Sequence, residues 1–235
     1  MSTGWRGAAL AAVVIAVLPA AAGCGALKKF GAASHTGATQ NFTISAHITT
    51  LVINGNSASI TVTGSNRRTI LVSQQAYYSK KPPATARRVS GTTLTLSYSC
   101  PTEAICGVTY NVEVPRGMAV QAGSPTGSIT LTSLAGAVTA QTDAGFITAT
   151  DLRSPTARLR SNAGGIVAAF SGVPGSVQAS TNIGPISITL PGSASYKIDT
   201  HTYVGTSNVS VRKSASSPHL ISASSDLGSI TISPS

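Results

Sequence analysis

The sequence predicts an all-β fold: a β-solenoid, β-helix-like, of about six two-strand coils, capped at its start by an N-terminal β-meander. Three observations lead there. First, a short phrase recurs: SPTGSI from Ser124, TDAGFI from Thr142, SNAGGI from Ser161, TNIGPI from Thr181 and SDLGSI from Ser225. It reads Ser or Thr, then Pro, Asp or Asn, any residue, Gly, any residue, Ile. Second, strict apolar–polar alternation follows each phrase. Third, helix formers are scarce after position 30, and aromatic residues make up only 5% of the 235 residues. A period near 20 residues is the mark of stacked coils, each burying a face that it cannot bury alone.

The repeat glycines set the coil length. Gly127, Gly145, Gly164 and Gly184 step by 18, 19 and 20 residues, and the step to Gly228 is 44, room for two coils. A degenerate copy, Thr202-Tyr203-Val204-Gly205, falls inside that gap. It has no Asp or Asn, and Thr206 and Ser207 follow its glycine. The expected product is a stack that widens toward the C-terminus.

Each phrase reads as a corner. Asp and Asn bond their own backbone, and Gly supplies the conformation that a tight corner needs. Beyond the corner, Ile129 and Leu131, Ile147 and Ala149, Ile166 and Ala168, Ile186 and Ile188, and Ile230 and Ile232 point inward. These stack on their counterparts in the next coil. A second strand per coil carries Val138 and Ala140, Ala157 and Leu159, or Val177 and Ala179 inward. Such small residues imply a thin, flattened solenoid.

From Phe42 to Pro115 the phrase is absent. Alternating segments replace it: HITTLVIN, SASITVTG, RTILVSQQAYY, GTTLTLSY and VTYNVEV, separated by NGN, GSN and KPP turns. A solenoid end exposes unpaired edges, so residues 42–120 are expected to cap the coils of 121–235 within one domain, 42–235. The C-terminus ends on a repeat strand, whose edge has only Pro234 and shortness to protect it.

Residues 1–23 read as a lipoprotein signal peptide. Arg6 precedes an apolar run from Ala8 to Leu18, then Pro19, and small residues lead to Cys24. Small residues before Cys resemble the bacterial lipobox, which implies a diacylglycerol and a further acyl chain, such as palmitate, on Cys24. Two or more chains anchor a protein stably. The alternatives are plain secretion and an uncleaved anchor. Residues 24–41 then form a flexible tether, with Lys28 and Lys29 at the membrane surface. The expected location is the cell membrane, on its extracytoplasmic face.

The net charge is +10, from 16 basic and 6 acidic residues. Arg67, Arg68, Lys80, Lys81, Arg87 and Arg88 fall in one stretch without an acid between them. They read either as solvated hairpin ends and edge protection or as a patch for an anionic partner. An exported protein does not meet nucleic acid, so the candidate partners are an anionic wall polymer or another envelope protein. Cys100 and Cys106 read most simply as a disulfide closing a small loop, with a metal site or a redox pair as alternatives.

Catalytic signals are missing. The sequence has no GxSxG, HExxH or P-loop motif, and its four histidines lie far apart. Asp143 and Asp226 occupy corners, where a turn explains them. Asp151 and Asp199 are single, which leaves no carboxylate pair for glycoside hydrolysis. No cofactor and no metal site are expected, calcium included, because too few carboxylates align from coil to coil.

The repeat phrase, the CPTEAICGVTYNVEVPRG segment that feeds the first coil and the closing SSDLGSITIS together resemble a bacterial β-strand-repeat family of unknown function, catalogued as adhesins by name. The resemblance covers residues 40–235. It implies an exported or anchored protein of the cell envelope, and it brings no catalytic residues. The expected function is therefore non-enzymatic: a lipid-anchored envelope protein presenting its solenoid for adhesion or interaction. A structural or envelope-stress module acting through protein contacts is the second expectation, and an envelope-polysaccharide enzyme the third.

Overall fold

Alternation of apolar and polar residues builds strand after strand, and the computed structural model shows how they pair. It describes residues 35–235 apart from 38, 57–58 and 102–104. Cys24, the signal segment and most of the tether lie outside the described residues. The chain lays down β1 (His35–Thr36), β2 (Gln40–Ile44), β3 (Thr50–Asn54), β4 (Ile60–Ser65), β5 (Ile70–Tyr78), β6 (Ala84–Ser90), β7 (Thr93–Ser99) and β8 (Cys106–Pro115). Strand pairs follow: β9 (Ala119–Thr126) with β10 (Ile129–Thr132), β11 (Val138–Ala144) with β12 (Ile147–Leu152), and β13 (Thr156–Ala163) with β14 (Ile166–Phe170). The last are β15 (Ser176–Ile183) with β16 (Ile186–Leu190), β17 (Lys197–Val204) with β18 (Ser207–Val209), and β19 (Leu220–Leu227) with β20 (Ile230–Pro234).

These strands form two mostly parallel sheets around one core, with no helix among the described residues. The first sheet runs β1-β5-β8-β4-β10-β12-β14-β16-β20-β18, with β2 also on β5. The second runs β17-β19-β15-β13-β11-β9-β3-β7-β6. The expected register holds. Ile129, Ile147, Ile166, Ile186 and Ile230 stand side by side, and Ile60 of β4 joins them beyond Ile129. All six are at most 1% exposed. Full burial of such a side chain stabilises by about 1.5–3 kcal/mol.

The corner works differently from the expectation. At every phrase after the first, the Ser or Thr hydroxyl, rather than the Asp or Asn, makes the bond that recurs along the stack; in the first, Ser124 Oγ donates to the Thr126 carbonyl at 3.0 Å. Thr142 donates to the Gly127 carbonyl at 3.1 Å, Ser161 to Gly145 at 3.0 Å, Thr181 to Gly164 at 2.9 Å and Ser225 to Gly184 at 2.9 Å. The glycines form a column of close backbone approach. A Cβ on Gly164 would lie 2.0 Å from the Gly145 carbonyl oxygen, and one on Gly184 would lie 2.4 Å from that of Gly164. Only glycine leaves room for neighbouring corners to touch.

The order of the last strands departs from chain order. After β16 the chain skips a place, builds β17 and β18 outermost, and returns to fill the vacancy with β19 and β20. The column of corner bonds follows the same route: Thr202 donates to the Gly228 carbonyl at 2.9 Å. The physical reason is burial. β19 and β20 bring Ile221, Ala223, Ile230 and Ile232, each at most 1% exposed. β17 turns Ile198, Thr200 and Thr202 inward, all half-buried. The outermost place leaves the polar strand at the edge, where charge and polarity cost least. The C-terminal strand β20 thus lies between β16 and β18, and it is not the exposed edge that the sequence led us to expect.

The N-terminal third also differs from a cap over 42–120. β3 and β4 are parallel members of the stack beside β9 and β10, and β7 and β8 are parallel to β3 and β4. The antiparallel closure is confined to β1, β2, β5 and β6. Its interior combines the apolar Ile70 and Val72 with a polar group. Gln74 is buried and donates to Gln40 Oε1 at 2.8 Å and to Thr85 Oγ1 at 3.2 Å.

Candidate functional site

Outward positions of the first sheet alternate with the buried isoleucines, so the repeat that builds the core also builds an outer face. Strand registers place Asn41, Ser73, Asn111, Thr61, Thr130 and Thr148 in one row across six strands. A parallel row holds Thr43, Leu71, Glu113, Thr63, Thr132 and Thr150. Neighbouring strands stand about 4.8 Å apart, and Thr132 and Thr150 hydroxyls lie 3.5 Å from each other. A groove of 610 Å³ crosses the N-terminal part of this face, lined by Asn41, Thr43, Thr61, Thr63, Ser73, Asn111 and Glu113 together with the apolar Phe42, Leu71, Val72 and Val112. Hydroxyls and carboxamides both donate and accept, so the face suits a polar, hydroxyl-rich surface.

The six basic residues do not share one patch. Arg67 and Arg68 occupy the turn before β5, and Lys80 and Lys81 the turn after it. The strand between them is nine residues long, which separates the two pairs by about 30 Å at 3.3 Å per residue. Arg67 Nε bonds Glu113 Oε1 at 3.1 Å, beside the groove. Arg87 lies with its guanidinium over the Phe42 ring, 4.6 Å from the centroid. It packs into the N-terminal closure as a cation over an aromatic face. Arg88, its neighbour on β6, takes the opposite side of the strand. Arg67 is therefore the member of the stretch tied to the groove, through Glu113, and Arg68 follows it in the same turn. Arg158 and Arg160 stand on the outer face of the other sheet, with Arg158 Nε on Gln178 Oε1 at 3.1 Å.

Cys100 and Cys106 are joined as a disulfide, with their Cα atoms 5.8 Å apart. The bond ties the end of β7 to the start of β8, across the two sheets.

At the corner opposite the glycine column, Asp151 Oδ2 accepts from Ser133 Oγ at 2.7 Å and lies 3.9 Å from Arg116 Nη1. Bonds from Ser133 and then Ser171 hold its carboxyl below the usual range, with Arg153 and Arg116 adding to the effect. Asp151 adopts φ 51°, and Ser133 beside it φ 57°, so the cluster closes a strained turn. Asp143 is instead bonded by Asn162 Nδ2 at 2.7 Å on the exposed glycine corner. Among the described residues no three His, Cys, Asp or Glu side chains converge as metal ligands do.

No protein-family model matches the chain, and a search of curated proteins returns no relative. Among solved structures several align with it. A candidate cell adhesion protein from Clostridium sporogenes ATCC 15579 aligns over 84% of this chain and 100% of its own, with a TM-score of 0.50 and 14% identity. A candidate adhesin from Bacteroides fragilis NCTC 9343 covers 86% of this chain and 97% of its own at a TM-score of 0.43 and 15% identity. Another, from Parabacteroides merdae ATCC 43184, covers 85% and 97% at a TM-score of 0.32 and 8% identity. The chain thus has the all-β fold of the Clostridium protein.

Proposed function

We propose that this is a non-enzymatic, lipid-anchored protein of the cell envelope that uses the outer face of the first sheet to adhere to an envelope polymer. The hydroxyl and carboxamide rows, with the groove across them, carry the reading. Thr61, Thr63, Ser73 and Asn111 match the donors and acceptors of a sugar- or polyol-rich chain. Arg67 beside them, with Arg68 in the same turn, suits its phosphates or carboxylates. The fold shared with a candidate cell adhesion protein supports the same role. The anchor is Cys24, which holds the domain at the extracytoplasmic surface.

Binding of the full chain to isolated cell envelopes tests the face. Arg67→Glu with Arg68→Glu should abolish the salt-sensitive part of binding, and Thr61→Val with Thr63→Val should weaken what remains. Unchanged binding in both pairs removes this face from the function. Cys24→Ser tests the anchor: the variant should leave the membrane fraction and migrate differently on a gel. Retention with unchanged mobility would show that Cys24 carries no lipid.

A further inference from the structure

The outermost strand β17 presents an edge with a definite pattern. Its odd-numbered residues turn their backbone toward β19: the Lys197 N–H donates to the His219 carbonyl at 2.8 Å. Tyr196 turns the other way, bonding Arg212 and Ser214 at the outer margin. Ile198, Thr200 and Thr202 therefore aim their N–H and C=O groups outward, and among the described residues no backbone group pairs with them. β18 is likewise the last strand of its sheet. At this open end Ile198 and Val209 are only partly buried against the core. Ser207 Oγ donates to Thr200 Oγ1 at 2.9 Å, which links the two edge strands.

The side chains on that edge select an occupant. Lys197, Asp199, His201 and Tyr203 all face solvent. We infer that a second copy of this chain pairs antiparallel with β17 about a two-fold axis at Thr200, so that both sheets continue into the partner. Antiparallel pairing requires that residues with outward-pointing backbone groups face one another. Thr200 then bonds the partner's Thr200, and Ile198 bonds the partner's Thr202. Between these bonded pairs, Asp199 falls opposite the partner's His201, and symmetry repeats the contact. Lys197 falls opposite the partner's Tyr203.

Sliding the copy by one repeat spoils this match. One direction sets Asp199 against the partner's Asp199, and the other sets His201 against the partner's His201. Opposite partial or full charges across strands stabilise pairing, and like charges oppose it. The register at Thr200 also buries the half-exposed Ile198 and Val209 of each copy. A free parallel-sheet edge is a template for such pairing unless something covers it; among the described residues no backbone group bonds the outward side of 198–202, and the 213–215 segment flanks only its 196–198 end.

Sedimentation of the full chain in detergent, across micromolar to millimolar concentration, tests the inference. A concentration-dependent dimer is expected. Thr200→Pro removes an outward N–H and sets a ring on the edge, and within the chain it also removes the Ser207 hydroxyl bond to Thr200 Oγ1. It should abolish the dimer, whereas Thr200→Val, which loses the same hydroxyl bond but keeps the outward N–H, should still dimerise. Asp199→His and His201→Asp should each weaken association about tenfold by creating two like pairs. The double variant restores Asp opposite His and should recover wild-type association. A monomer at every concentration would overturn the inference. So would a dimer that survives Thr200→Pro, or a double variant no stronger than its parents.

Discussion

Replacing Gly164 by Ala tests whether the glycine column holds the corners together. Gly164 has φ +146°, and an added Cβ would stand 2.0 Å from the Gly145 carbonyl oxygen. Carbon and oxygen sit comfortably only beyond about 3.3 Å, so the corner has to open by about 1 Å. It is held there by three bonds: Gly164 N–H to the Ile183 carbonyl at 2.8 Å, Gly145 N–H to Ala163 at 3.0 Å and Ser161 Oγ to Gly145 at 3.0 Å. Losing them costs about 1 kcal/mol each, and the backbone strain adds about 1–2 kcal/mol. The total is about 4 kcal/mol, or a fall in melting temperature of about 10 °C for a chain of this size. Gly123→Ala is the control. A Cβ there meets nothing closer than Asn54 Oδ1 at 3.8 Å, and the cost should stay within about 0.5 kcal/mol. Thermal unfolding followed by circular dichroism reads both. Equal melting temperatures for the two variants would refute the argument.

Other substitutions probe the core and its charges. Ile147→Ala or Ile186→Ala should cost about 2–5 kcal/mol in denaturant unfolding, whereas Thr148→Ala, on the outer face, should stay within about 0.5 kcal/mol; matching midpoints would contradict the register. Tyr110 is fully buried beside Tyr98, and its hydroxyl lacks a hydrogen bond among the described residues. Burial, then the Tyr98 phenol, pushes its pKa up. Its contribution is therefore present below the unfolded value near 10 and is lost as pH rises beyond it. Tyr110→Phe should be neutral or stabilising by about 1 kcal/mol at pH 7 and should resist alkaline unfolding better than wild type. Asp151 has a lowered pKa, held first by Ser133, so its stabilisation is present above about pH 4 and fades as pH falls through the folded value. Asp151→Asn should flatten the acid limb of the stability profile by less than about 1 kcal/mol, because the site is exposed. An unchanged acid limb would show that the Ser133 contact contributes nothing.

Much of the fold was legible because its rules are local. Alternation tells which residues of a strand point inward, and a repeated Gly-x-Ile phrase aligns those strands, so the columns through Ile129, Ile147, Ile166 and Ile186 could be read directly. The disulfide was readable from the closeness of Cys100 and Cys106 in a chain expected to be exported. The recurring bond from the corner Ser or Thr was missed, although its signal was present: all six phrases, the degenerate one included, begin with Ser or Thr. The candidate face was missed for a different reason. Thr61 and Thr63 precede the first repeat phrase by more than 60 residues, and only pairing of β4 with β10 sets them beside Thr130 and Thr132. The basic stretch shows the converse, since residues close in sequence were carried to opposite ends of β5 and into the closure beneath Phe42.

By itself the sequence determined the coil: where it turns, which side chains it buries and how adjacent coils must register. Those properties depend on neighbours within about 20 residues. It did not determine which coil lies beside which, because any coil with a matching phrase offers nearly the same hydrogen bonds to any other. That choice was left to tertiary burial. The isoleucine-rich β19 and β20 gain two covered sides between β16 and β18, and the polar β17 loses least at the margin. The out-of-order stack, the split of the basic residues and the exposed edge at Thr200 all follow from that competition for the interior.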